Sequence, residues 1–403
     1  MGSTQAGRNE FIEVRNPCTL GETLSAERVS LSSYYKPCIA RLPNGELRLI
    51  AESTGPNANL HLDNDHPVMR SEDGGRTWTE LAVPDLTGGE PYFTVLKSGA
   101  VLMTGEPMLK TGDRNTLFYI HRSEDGGFTW VNPPGVAIPK TESICVGTRT
   151  ILELQDGSLM FGFADRDNTN PDRKGPKEYI WRSFDDGKSW EPSYPAHFEG
   201  VPEGFPYAMF EEARLWQARS GKIYGLVRVP PKFFPLPGRL EPLIPPEVNY
   251  PDMRDDYRPG QPPYTAPDGL YLDDFDRIVV YCTTDLGRTW KKTGDLGDYG
   301  ECHYPSILRL KDGRLLLTYT VRADQDQLGV RAVLGEEFSD GFRFDLENDV
   351  IMIETRTPMN QVSGGGFGPT VQLGDGTLVT AYSYRLGKTN ADLYTEVVRW
   401  RLS

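Results

Sequence analysis

Histidine is scarce in this chain, with five in 403 residues. The five cysteines (Cys18, Cys38, Cys145, Cys282 and Cys302) lie far apart, so no metal-ligand spacing exists. Buried, reduced thiols are their plain reading, which favours a reducing compartment, although a Cys18–Cys38 bridge stays open. No apolar run approaches about 18 residues, so no membrane span is expected. Residues 1–15 lack the basic-then-apolar order of a signal peptide, which points to the cytoplasm, or to secretion if a leader has been trimmed. An excess of positive charge is also missing. The net charge of −14 argues against nucleic acid or a membrane surface as a general partner. Nor is there a phosphate-cradling glycine loop, because Gly364-Gly365-Gly366-Phe367-Gly368 opens a strand rather than a helix. No cofactor is called for, and a structural calcium ion on loop carbonyls is left open.

What is present is a repeat. Hydrophobic content of 38% and charged content of 25% fit a globular protein. Six times, a β-rich run meets a two-residue turn ending in glycine and then a second β-rich run. The turns are Asn44-Gly45, Ser98-Gly99, Asp156-Gly157, Ser220-Gly221, Asp312-Gly313 and Asp375-Gly376. Such pairs suit tight hairpins, since glycine accepts positive φ at no steric cost. A second signature, Ser-x-Asp-x-Gly-x-Thr-Trp, follows at Ser71–Trp78 and Ser123–Trp130. Ser183–Trp190 carries Ser189 for Thr, Thr283–Trp290 carries Thr283 for Ser, and a worn copy is expected at Glu336–Phe344. These are Asp boxes, tight turns in which Asp accepts local N–H groups and Trp packs between sheets.

Each unit reads as four antiparallel strands, so the fold class is all-β: a six-bladed β-propeller with four-stranded antiparallel blades and Asp-box turns. Residues 1–403 form one domain on this reading. An early strand at Phe11–Val14 is expected to complete the last blade, which runs out after Glu396–Leu402. One interval, 230–277, carries twelve prolines in Pro230–Pro267 and cannot be regular sheet; it reads as a rigid loop or as a wall of the site.

Up-and-down topology decides which end carries chemistry. The start of a first strand and the end of a second lie together, opposite the Asp boxes. That end collects Tyr35-Lys36, Glu90, Thr148-Arg149, Glu211-Glu212, His303-Tyr304 and Gly366-Phe367. It also collects Glu52, Glu106, Asp165-Arg166, Arg228, Arg322 and Tyr384-Arg385, together with the proline-rich insertion. Arginine forks pair well with carboxylates, so Lys36, Arg149, Arg166, Arg228, Arg322 and Arg385 around one axis point to an anionic ligand or to bridges with neighbouring acids.

With its repeat order, Asp boxes and these positions, the chain resembles the sialidase (neuraminidase) superfamily along essentially its whole length. Tyr34-Tyr35-Lys36-Pro37 looks like the family's Phe/Tyr-Arg-Ile-Pro opening. The resemblance implies that Glu212 activates a nucleophile, and that Arg228 and Arg322 hold a sugar carboxylate. It implies an acid/base aspartate among residues 57–67, where Asp63 and Asp65 stand beside His61 and His66. Two positions depart: Tyr35 replaces the first arginine, with Lys36 beside it, and Phe367 falls where the family has its nucleophilic tyrosine. Tyr304, Tyr382 and Tyr384 carry hydroxyls elsewhere.

Three functions follow as expectations. The first is an exo-acting glycoside hydrolase removing a terminal, anionic sugar. Glycoside cleavage takes two carboxylates, and Glu212 with Asp63, Glu90 or Glu106 provides them; the superfamily also resembles exo-arabinanases, where carboxylates work without the tyrosine. Burial would raise the pKa of Glu212 and Arg228 would offset it. The second is a polysaccharide lyase eliminating beside a uronic acid, with His303 as base and Tyr304 among the acids. The third is a glycan-binding propeller without catalysis. In each, the partner is a carbohydrate held by Tyr35, Lys36, Glu90, Arg149, Arg166, Arg228, Arg322, Tyr384 and Arg385.

Overall fold

The computed structural model describes residues 26–31, 34–53, 66–83, 86, 88–106, 120–131, 144–166, 176–201, 208–229, 277–295, 302–321, 329–339, 341–344, 351–354, 370–386 and 392–402. They form six antiparallel sheets arranged as the blades of a propeller, with no α-helix among the described residues. Blade one runs from the inside outwards as Tyr34–Arg41, Leu47–Ser53, Val68–Ser71 and Thr79–Leu81. Blade two shows Gly89–Val95, Val101–Glu106 and Ile120–Ser123. Blade three places Ile144–Gly147 and Leu152–Glu153 on Leu159–Arg166, followed by Lys177–Ser183 and Tyr194–Pro195. Blade four is Arg214–Gln217, Ile223–Val229, Arg277–Thr283 and Thr289–Asp295; blade five is Cys302–Arg309, Leu315–Val321, Gly329–Glu337 and Phe342–Phe344.

Blade six is built from both ends of the chain. Val371–Gln372, Leu378–Arg385 and Leu393–Trp400 supply its inner strands, and Glu27–Ser30 pairs with Leu393–Trp400 in the fourth place. Glu27–Ser30 thus takes the fourth place; the strand expected at Phe11–Val14 lies outside the described residues. The side chains explain the choice. Glu27 pairs with Arg399, and Arg28 donates to the Tyr382 hydroxyl and to the Ile353 carbonyl at 2.8 Å. Of the proline-rich interval 230–277, only Arg277, at the head of its strand, is described.

Apolar residues do not gather on the axis. They form a cluster at each contact between blades: Ile39 and Leu49 of blade one pack with Val379 and Val397 of blade six, while Leu226 and Val280 of blade four pack with Leu317 and Val333 of blade five. Each buried aliphatic side chain contributes about 1.5–3 kcal/mol, so the ring is held by its seams.

The Ser-x-Asp turns close through their own side chains. Asp73 Oδ1 accepts from the Arg76 and Thr77 N–H groups at 2.9 Å, Ser71 Oγ accepts from Gly75 N–H at 2.8 Å, and Trp78 Nε1 donates to Gly75 O at 3.1 Å. Asp125, Asp185 and Asp285 repeat the pattern, and Trp290, fully buried, stacks on Phe198. The stretch Glu336–Phe344 does not make this turn. There Gly329–Glu337 and Phe342–Phe344 join through a tight bend closed by Phe338 N–H to Gly341 O at 2.7 Å, and the place of Asp73 is held by Glu337, whose carboxylate bonds Arg309 instead. Cys38, half of the bridge left open from sequence, is a free, buried thiol that burial pushes up to about 12.

Candidate active site

A backbone irregularity recurs at the inner mouth of the blades. In blade one the pairing steps from Tyr35–Glu52 to Cys38–Ile50, in blade two from Gly89–Glu106 to Tyr92–Thr104, and in blade five from His303–Thr320 to Ser306–Thr318. Each inner strand thus holds an extra residue, a β-bulge. The sequence dictates its place. Pro37, Pro91 and Pro305 have no N–H to give the ladder, so pairing breaks there. The residue before each proline turns left-handed: φ is 48° at Lys36, 50° at Glu90 and 52° at Tyr304, with Glu212 of blade four at 54°. All four stand nine residues before a hairpin glycine (Gly45, Gly99, Gly313 and Gly221). Left-handed backbone at a side-chain-bearing residue costs of order 1–3 kcal/mol, and such strain concentrates where side chains must be aimed.

These left-handed positions bring their side chains together. Glu212 Oε1 takes the Arg149 guanidinium at 3.0 Å and the Lys36 ammonium at 3.5 Å, while its other oxygen takes Arg228. Glu90 takes Lys36 on one oxygen and Arg149 on the other. Behind them, Glu52 accepts the Glu90 backbone N–H at 2.5 Å, and Ser383 Oγ of blade six accepts the Lys36 N–H at 3.3 Å. The Lys36 ammonium lies 5.1 Å from the ring centre of Tyr35 and 5.2 Å from that of Tyr304. Side chains from blades one, two, three, four and five thus meet in one buried cluster.

Electrostatics follow from this packing. Burial disfavours charge on Glu212, but Arg228, Lys36 and Arg149 outweigh it and hold the carboxyl well below the usual range. The rise expected for a buried Glu212 is therefore reversed, because three cations act on it rather than Arg228 alone. Burial likewise opposes charge on Lys36, yet Glu90, with Tyr304, Tyr35 and Glu212, keeps its proton well above the ordinary lysine range. Glu212 is thus an anion at neutral pH, able to attack or to take a proton and unable to give one.

The sequence-derived residues divide clearly. Glu212, Lys36, Tyr35, Glu90, Arg149, Arg228 and Tyr304 converge. His303 stays beside Tyr304, ring centres 5.5 Å apart, with no exposed surface. Tyr384 stacks on Tyr394 at 5.4 Å, and the Tyr382 hydroxyl donates to Glu396 at 2.8 Å. Arg385 ends the strand that carries Tyr384 and is half-buried. Asp63, Asp65 and Arg322 lie outside the described residues, as does the side chain of Arg166, whose backbone pairs with Ile144. Ser383 was not among the expected residues. The proline following Lys36, Glu90 and Tyr304 was the signal that these positions are equivalent.

No protein-family model matches the chain, and no curated protein matches its sequence. Solved structures match it in fold. A protein of unknown function from Dyadobacter fermentans is 19% identical, with 93% of this chain and 98% of that chain covered and a TM-score of 0.59. The α-L-arabinofuranosidase Arb93A of Fusarium graminearum, solved with an iminosugar inhibitor, is 14% identical over 95% of this chain and 99% of that one, TM-score 0.56. A Trypanosoma rangeli sialidase, solved with sialic acid, is 13% identical over 98% of this chain and 60% of that one, TM-score 0.52. At these identities the likeness is one of fold: a six-bladed propeller of the kind that glycosidases use.

Proposed function

We propose that this protein is a glycoside hydrolase that releases a terminal, uncharged sugar, with Glu212 as the charged carboxylate of the reaction. The observation that carries the reading is the position of Glu212: buried at the mouth of the propeller, aimed there by a left-handed backbone, and kept ionised by Arg149, Arg228 and Lys36. An ionised carboxylate serves as nucleophile at the anomeric carbon or as the base that activates water. The proton for the leaving oxygen must come from a second carboxyl. Glu90 is a poor donor because two cations hold its oxygens. Asp63, which follows the second strand of blade one in sequence, is the candidate acid.

Charge pairing supports an uncharged sugar over the anionic one suggested by sequence. Lys36, Arg149 and Arg228 are already bonded to Glu90 or Glu212, so a sugar carboxylate would have to take them away from a protein carboxylate. Structural neighbours with the same fold include an arabinofuranosidase and a sialidase, one for each kind of sugar. Elimination is the weaker reading, since His303, its expected base, is completely buried.

The test is product analysis by mass spectrometry on arabinose-containing, sialylated and uronate-capped oligosaccharides. Release of an uncharged sugar with addition of water, lost in Glu212→Gln, is the expected result. Release of sialic or uronic acid would overturn the uncharged substrate, and an unsaturated uronate product would overturn hydrolysis altogether.

A further inference from the structure

The opposite end of the propeller has a regular device for locking one hairpin to the next blade, and one seam lacks part of it. In blades two, three and five, the second residue after the hairpin's first strand gives its backbone N–H to an acceptor side chain on the next blade. Lys97 donates to Glu153, Gln155 to Gln217 and Lys311 to Gln372, each at 2.8 Å. The seam from blade one to blade two needs no such bond, since the donor position is Pro43 and the acceptor position is Val95. From blade four to blade five the acceptor position holds Arg309, itself a donor. The conflict is resolved there by Glu337, which accepts both the Arg219 N–H and the Arg309 guanidinium, the latter at 2.7 Å.

At the closing seam, from blade six to blade one, the same conflict stands without its carboxylate. The donor is the Gly374 N–H and the facing position is Arg41. Among the described residues the Arg41 side chain has no hydrogen-bond or ion-pair partner, and its Nε is buried. By strand register the counterpart of Glu337 is Asp73, two residues past Ser71 as Glu337 is two past Gly335. Asp73, however, is spent on its own turn, where it accepts from Arg76, Thr77 and Ser71. Blade five makes no such turn, which leaves Glu337 available. Asp375, the other acid at the seam, is taken by Arg401 at 2.6 Å and by Thr377. Glu27 is taken by Arg399 and lies 3.5 Å from Arg76. Gly374 adds room: a Cβ built there would meet nothing within 4 Å, where the other seams carry Lys97, Gln155, Arg219 or Lys311. The result is a cavity of about 380 Å³ between the two hairpins, lined by Arg41, Gly374, Asp73, Asp375, Arg76 and Arg399 among others.

We propose that this seam is a binding site for a carboxylate supplied from outside the fold, held by the Arg41 guanidinium and the Gly374 N–H as Glu337 is held by Arg309 and the Arg219 N–H. An arginine fork with a neighbouring backbone N–H is a standard carboxylate receptor. The inference is independent of the glycosidase reading, since the site lies at the opposite end of the blades from Glu212. Occupation ties blade six to blade one, so it stabilises the ring where the two ends of the chain meet.

The test is thermal unfolding of the full chain with sodium acetate replacing sodium chloride at constant ionic strength. At about ten times Kd, acetate should raise Tm by about 2 °C. In Arg41→Gln the glutamine acceptor used at two other seams is restored internally. This variant should unfold no lower than wild type in chloride and should lose the acetate response. Arg41→Glu, which copies the acceptor that Glu153 provides, gives a second variant with the same expectation. An identical acetate response in wild type and both variants, or none in wild type, would overturn the proposal. A glutamate-rich peptide, titrated in parallel, identifies the source: binding at least tenfold tighter than acetate and dependent on Arg41 assigns the carboxylate to an acidic protein segment, and equal binding assigns it to a small acid.

Discussion

The mouth and the box end of the propeller both use left-handed backbone, and they use it differently. At the box end it falls mostly to glycine, as at Gly74, Gly75, Gly126 and Gly127, with Asp186 and Leu286 as the exceptions. The aspartates of the Ser-x-Asp turns there are satisfied within a few residues of themselves, as Asp73 is by Arg76 and Thr77. At the mouth the same conformation is imposed on Lys36, Glu90, Glu212 and Tyr304, whose side chains find partners on other blades. The Ser-x-Asp turns are locally determined and repeat with their sequence. The mouth is determined by the ring as a whole, and each position carries a different side chain.

Substitutions at the two ends should therefore separate chemistry from stability. The largest effect is expected from Glu212→Gln, which should lower kcat/KM by about 10²–10⁴-fold in steady-state assays. A full-activity variant would break the comparison at its centre. Next comes Trp290→Ala, which should cost about 3–5 kcal/mol in denaturant unfolding while leaving kcat/KM of the folded enzyme unchanged. Asp285→Ala, which removes one box anchor, should cost about 1–2 kcal/mol, again without a kinetic effect.

A smaller shift sharpens the electrostatic side. The carboxyl of Glu212 is held below its unfolded range, so its stabilising contribution is present above about pH 4.3 and is lost as pH falls through the depressed folded value. Activity that needs the anion should fail in the same acid window. In Lys36→Met one cation is gone, so the acid limb of the kcat/KM profile should move to higher pH; an unmoved limb would assign that limb to another group.

Much of the fold was legible in the sequence because its devices are local. The turn glycines, the Ser-x-Asp spacing and the partial alternation of strand residues each report on a few neighbouring positions, and together they pointed to the six blades. The closing strand was harder. Both Phe11–Val14 and Glu27–Ser30 are short enough to fill the slot, and what selects Glu27–Ser30 is its pairing with Arg399, Tyr382 and Ile353, far along the chain. At the site, topology alone placed Lys36, Glu90, Arg149, Glu212, Arg228 and Tyr304 at one end. Their mutual pairing was not legible, because residues on five different blades meet only after the ring closes. The direction of the Glu212 shift depended on that same meeting, with Lys36 and Arg149 adding to the one arginine the sequence pointed to.

Closure by Glu27–Ser30 also sets a schedule for the molecule's making. Glu27–Ser30 must wait for Leu393–Trp400, its ladder partner in the sheet, to emerge far later in synthesis. Until then the inner blades can assemble in order, but the ring stands open, with Ile39 and Leu49 of blade one lacking the blade-six residues that later cover them. Completion pairs two strands far apart in sequence, and such long-range pairing is slow in folding. Aggregation during synthesis should therefore be governed by how long that one gap stays open, more than by the strength of any finished blade.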